Sequence, residues 1–269
     1  AHKSRMVYSN DMKITGKYAL IALFLILAAC RPAASPIQSI EPTQIDRPGE
    51  QVMPEKIDWI DRVLRFENLS IEDGLSQSVV NAIIQDQRGF IWLGTQDGLN
   101  RYNGYEFRIF KHDPAEPNSI SSNFIQALYE DPAGKIWIGT LGGGLNCFDP
   151  ATEQFTYWLN DPQDPDSISL NSVSSIFPAP DGTLWLGTNG GGVNHFDQGT
   201  GKFIAYHLED DAVLEVLVDR AGNVWVGTFT GGLFDLNPST GEAIAYHHDP
   251  QDNRSIGEGA IQAILLDRQ

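Results

Sequence analysis

The sequence predicts an all-β fold, a β-propeller of four-stranded antiparallel blades, on three observations. One phrase, Asp-x-x-Gly-x-x-Trp-x-Gly-Thr followed by a glycine-rich turn and Gly-Leu/Val, recurs four times with small departures. Its anchors Trp92, Trp137, Trp185 and Trp225 stand 45, 48 and 40 residues apart, a period that marks a solenoid, a propeller or an array. Within each period the residues divide into four short runs separated by turn residues, and no segment after the N-terminus shows sustained helical periodicity.

Taken in order, residues 1–30 read as a targeting segment. Met12 opens a stretch in which Lys13 and Lys17 precede an apolar run from Tyr18 to Leu27 and then Ala28-Ala29-Cys30. The run is shorter than the roughly 20 apolar residues of a spanning helix. It fits the apolar region of a secretory signal. The small residues before Cys30 have the form of a bacterial lipoprotein cleavage box, so Cys30 is the expected lipidation site; an ordinary signal peptide or uncleaved anchor is the alternative. Residues 31–56, punctuated by Pro32, Pro36, Pro42, Pro48 and Pro54, lack apolar periodicity and read as a disordered tether. The propeller is expected over 57–269.

In each repeat the first strand is a mostly apolar run, as in 79–86 and 124–131. A tight turn follows at Gly89, Gly134, Gly182 or Gly222. The second strand carries the tryptophan among β-branched and aromatic residues suited to a pleated surface. A glycine-rich turn leads to the third strand, and a further turn to the fourth. The tryptophans share one strand position, so they are expected to pack between neighbouring blades as structural core. Asp86, Asp131 and Asp219 each precede a tryptophan by six residues, and Asp267 repeats that register.

These repeats resemble the two-component regulator propeller repeats that form the extracytoplasmic sensor of bacterial hybrid histidine kinases and of some diguanylate cyclases. The resemblance covers roughly residues 63 to 269. It implies a seven-bladed ring within a longer protein carrying a kinase or cyclase output, a dimer of the full-length protein, and an external ligand, in several relatives an oligosaccharide. Four whole blades and a stub are present, so the chain reads as an N-terminal piece. Residues 64–70 align with the fourth-strand segments, and a ring left incomplete is expected to expose two sheet edges and to associate.

Charge and composition narrow the partners. The net charge is −17, and about −20 once residues 1–30 are removed, which disfavours nucleic acid and anionic lipid surfaces. Cys147 is the one cysteine besides Cys30, and it reads as a small buried hydrophobe. The run 139–145 resembles a phosphate cradle but joins two strands, so it reads as a hairpin turn. The loop 161–169, with Asp161, Asp164 and Asp166, lacks the glycine and terminal glutamate of a calcium loop and reads as Asx turns. His112, His207 and His248 recur at one blade position, which favours a structural cause. No catalytic residue, metal or cofactor is expected.

A ligand site is expected at the channel mouth. Gln96, Leu141, Asn189 and Phe229, with Asp97 and Thr230 beside them, vary inside a fixed frame just after Gly-Thr. Asn81, Gln126, Ser174 and Gln262 share one polar position on the first strands and either line the channel or are ordinary solvated residues. The expected function is extracytoplasmic ligand sensing as the input of a two-component protein. The alternatives are a stand-alone surface lipoprotein that binds a glycan or protein, and a propeller-based lyase or hydrolase.

Overall fold

The computed structural model describes residues 66–267. The signal segment, Cys30 and the tether lie outside the described residues. Among the described residues sixteen strands build four antiparallel four-stranded sheets. Sheet one is β1 (Val80–Gln85), β2 (Ile91–Thr95), β3 (Gly98–Tyr102) and β4 (Phe107–Phe110). Sheet two is β5 (Ile125–Glu130), β6 (Ile136–Thr140), β7 (Leu145–Asp149) and β8 (Gln154–Trp158). Sheet three is β9 (Val173–Pro178), β10 (Leu184–Thr188), β11 (Gly192–Asp197) and β12 (Lys202–Tyr206). Sheet four is β13 (Val213–Val218), β14 (Val224–Thr228), β15 (Leu233–Leu236) and β16 (Ala243–Tyr246). Strand order follows chain order in every sheet, as in propeller blades.

The inner strands β1, β5, β9 and β13 lie side by side, and three apolar layers fill the spaces between consecutive blades. Trp92 packs against Phe110 of its own blade and Phe148 of the next. Trp137 stacks on Trp158 and meets Phe196 of the third blade edge-on. Trp92, Trp137 and Trp185 are buried. Trp225 is only half-buried, because its described ring neighbour is Tyr246 of its own blade.

In three of the four repeats an aspartate ties the first hairpin to the indole. Asp86 Oδ1 accepts from the backbone N–H of Arg88 and Phe90, while Oδ2 accepts from Trp92 Nε1 at 2.9 Å. Asp131 and Asp219 repeat this with Trp137 and Trp225 at 3.0 and 3.1 Å. A buried indole N–H needs such an acceptor. Blade three has Ala179 at that position, and Trp185 instead stacks on His195 at 4.4 Å.

Two segments flank the four sheets without forming strands. The segment aligned with the fourth strands is not a strand over its described part, 66–70. Phe66 is 73% exposed, and Ser70 caps a single 3-10 turn, Ile71–Asp73. Residues 260–267 are not assigned to a strand either, yet Ile261 N–H donates to Thr228 O and its side chain lies against Gly227. Ile125, Val173 and Val213 take the same place against Gly94, Gly139 and Gly187.

Candidate functional site

The turns after Gly-Thr are built by the threonine itself. Buried Thr95, Thr140, Thr188 and Thr228 each donate their hydroxyl across the turn, to the carbonyls of Gly98, Gly144, Gly192 and Gly232 at 2.8–3.1 Å. A Cβ on Gly144, at φ +66, would collide with the Trp158 carbonyl. Leu141, Asn189 and Phe229 then donate their backbone N–H to Phe124, Ser172 and Ala212, each 2.9 Å away at the entry of an inner strand. Turns and blade connections therefore share one end, and the backbone carrying the variable side chains is pinned.

On that end Gln96, Leu141, Asn189, Phe229 and Thr230 are exposed, Phe229 at 59%. Asp97 is half-buried and pairs with Lys111 at 2.6 Å. Thr230 is not free: its N–H and hydroxyl both donate to Asp210, at 2.7 and 2.8 Å.

The first-strand polar residues occupy β-bulges. Pairing with the second strand shifts register around Asn81, Gln126 and Ser174. The bulged residue turns to the neighbouring blade: Asn81 donates to Ile125 O at 2.8 Å and Ser174 to Val213 O at 2.6 Å. Gln126 accepts from Ser172 at 3.3 Å. These three therefore bridge adjacent blades at the inner strands. In the fourth blade the bulged position is Leu214, and Gln262 is exposed on the segment that follows.

Sequence reasoning missed the couples behind the mouth. Asn100, Asn146 and Asn194 are buried on the third strands, and each exchanges two bonds with a serine of the incoming connection, Ser76, Ser121 and Ser169. Blade four breaks the pattern: Phe234 replaces the asparagine, and Asp210 lies against Gly231 as Ser121 and Ser169 lie against Gly143 and Gly191. Burial works against the Asp210 anion, yet bonds from Thr230, Ala212 and Gly231 hold its carboxyl down to about 2. The signal was the Leu-Asn that becomes Leu-Phe in the fourth repeat.

The chemistry-bearing side chains are engaged in local structure. His112 and His248 donate Nδ1–H to Ile120 O and Ile256 O, both at 2.8 Å, and His207 Nδ1 meets Asp211 at 2.8 Å. Asp161 and Asp164 accept from Gln163 and Asp166 N–H, the Asx geometry. Among the described residues no group of three or more His, Cys, Asp or Glu could hold a metal ion. Burial pushes the Cys147 thiol up to about 12. What that end presents is pinned backbone with exposed amide and apolar side chains.

Residues 74–97, 119–142 and 167–190 match the two component regulator propeller family. A stretch of 56 residues is 46% identical to Histidine kinase P4 of Formosa agariphila, covering 21% of this chain and 4% of that protein. The fold is similar to the crystal structure of an extracellular domain assigned to a hybrid two component system of B. thetaiotaomicron. That likeness has 31% identity and a TM-score of 0.64, and covers 68% of this chain and 26% of the other. A further such domain from B. thetaiotaomicron matches at 27% identity and a TM-score of 0.55, over 67% and 27% of the two chains. The chain thus spans only about a quarter of these solved relatives. Among the described residues no helix is long and apolar enough to cross a membrane.

Proposed function

Because this chain carries two component regulator propeller repeats, we propose that it is the extracytoplasmic, ligand-reading input of a bacterial two-component signalling protein of the hybrid histidine kinase type. The observation that carries this reading is the contrast at the mouth. Four turns are fixed by the same threonine bond, while the side chains they present, Gln96, Leu141, Asn189 and Phe229, differ and stay exposed. A rigid frame with varied exposed groups suits recognition of a neutral small ligand, with an oligosaccharide as the class. The amides supply hydrogen bonds, and Phe229 and Leu141 supply apolar contact.

The protein acts after export, periplasmic or at the cell surface, held to a membrane through its N-terminal lipid or anchor. The described segment binds and does not catalyse; His112, His195, His207, His248 and the turn aspartates are occupied by structural hydrogen bonds, which supports this. Signalling requires that ligand favour one pose of the propeller over another.

The test is a glycan-array and calorimetric screen of the exported chain, followed by Phe229→Ala and Asn189→Ala. Loss of binding in both, with Ile204→Ala on the outer strand β12 unaffected, is the expected result. A ligand whose affinity ignores the mouth variants, or no ligand across neutral oligosaccharides, overturns the reading.

A further inference from the structure

The outer strand of a blade is a sheet edge, and in blades two and three a loop covers it. Residues 111–124 and 159–172, fourteen each, connect blade one to two and blade two to three. The first passes along β8, where Phe155 N–H donates to Asn118 O at 3.1 Å, and the second along β12, where Phe203 N–H donates to Asp166 O at 2.8 Å. Both phenylalanines are buried. The connection from blade three to blade four is only residues 207–212.

Blade four consequently lacks that cover. The registers Phe148↔Phe155, Phe196↔Phe203 and Leu236↔Ala243 put Ala243 where the other blades have a buried phenylalanine. Asn237 N–H donates to Glu242 O, so Glu242, Ile244 and Tyr246 bond inward to β15, and Ala243 and Ala245 turn their N–H and C=O outward. No described residue bonds those outward groups. The strand Ala243–Tyr246 has no charged residue, and Ile244 and Tyr246 are 62% and 40% exposed. β4 and β12 carry Arg108 and Lys202, the kind of charge that blunts an edge.

We propose that β16 is an edge-to-edge docking strand for a second copy of this chain, paired antiparallel about a two-fold axis at Ala245. The outward phase admits pairings that set Ala245 opposite itself, and this register complements itself. Ile244 falls opposite Tyr246 of the other copy, twice, an aliphatic–aromatic cross-strand pair. Glu242 falls opposite His248, twice, and His248 bonds through Nδ1 to Ile256 O, leaving Nε2 on the other side of the ring. A four-residue edge buries little area, so the dimer is weak and concentration-dependent.

The experiment is sedimentation velocity across a concentration series on the full chain, each variant in a Cys30→Ser background. Ala245→Pro removes an outward donor and leaves the inward ladder intact, and Ile244→Lys puts charge on the edge. Each is expected to weaken self-association about tenfold or more while leaving the melting curve in place. Ala245→Cys is expected to form a disulfide-linked dimer under oxidation, because opposed Cα atoms in a hydrogen-bonded pair lie about 5.5 Å apart. Ala205→Cys, at the equivalent place on β12, is expected to stay monomeric, because a pairing centred there needs the Phe203 N–H that Asp166 O already holds. A monomer at every concentration, association untouched by both edge variants, or equal cross-linking at 205 and 245 would overturn the proposal.

Discussion

The carbonyl oxygen of Val173 lies 2.7 Å from where a Cβ on Gly139 would stand, and Val173 Cγ1 lies at 2.9 Å. Blade two therefore ends its second strand against the inner strand of blade three with no room for a side chain. The same approach joins Gly94 to Ile125, Gly187 to Val213 and Gly227 to Ile261. The glycine of Trp-x-Gly-Thr is thus a spacing device that sets the distance between blades.

Gly139→Ala is expected to destabilise the chain by about 1–3 kcal/mol, since the obstacle is backbone and cannot rotate away. Gly257→Ala, with nothing within 4 Å and no left-handed φ, is the matched control and should be near neutral. Urea midpoints for the two proteins check this, and equal midpoints would remove the spacing argument.

The indole and its aspartate act together. Trp137→Ala should cost about 3–5 kcal/mol as an aromatic core truncation. Trp225→Ala should cost clearly less, because that ring is half-buried. Asp131→Ala, which strips the acceptor from the Trp137 N–H and from two hairpin amides, should cost about 1–3 kcal/mol. Thermal unfolding of the three variants orders them; a Trp225 effect as large as that of Trp137 would contradict the packing.

How far the sequence reveals this molecule depends on whether an interaction repeats at fixed spacing. Asp131 and Trp137 stand six apart because one hairpin joins them, so their link is visible as spacing alone. Ser121 and Asn146 are 25 residues apart on different elements, and nothing in their local patterns announces a pairing. Asn81 was readable as an aligned polar position, but not as a bulge, because the extra residue shows only once the partner strand is in register. Residues 66–70 carry the apolar-polar pattern of a fourth strand and still form none, since a pattern becomes a ladder only where another strand pairs with it. Thr230 reads in the sequence as an available side chain, and only the fold brings Asp210, supplied by the shortened connection, to hold it.

Cys147 is predicted to be inert in the folded chain. Burial is the chief cause that raises its thiol to about 12, so almost none is thiolate at neutral pH. A thiol-specific reagent should modify Cys147 in denaturant and leave it unmodified in buffer, read by mass spectrometry after proteolysis. Fast native labelling at Cys147 would show that the blade two–three layer opens far more readily than its aromatic packing suggests.

Blade four should be acid-sensitive. Burial opposes the Asp219 anion, but bonds from Asn223, Trp225 and Ala221 overcome it and hold the carboxyl at about 2 against an ordinary 3.8; Asp210 is held at about 2 in the same way. A folded value below the unfolded one means that the anion's contribution is complete above the ordinary carboxylate range and is lost as pH falls towards about 2. Stability measured by urea titration should therefore fall between about pH 4 and 2. Asp219→Asn and Asp210→Asn should be less stable at neutral pH and show a shallower fall over that window. Profiles parallel to the parent in both variants would mean that neither carboxylate is linked to folding, and that the acid sensitivity arises elsewhere in the chain.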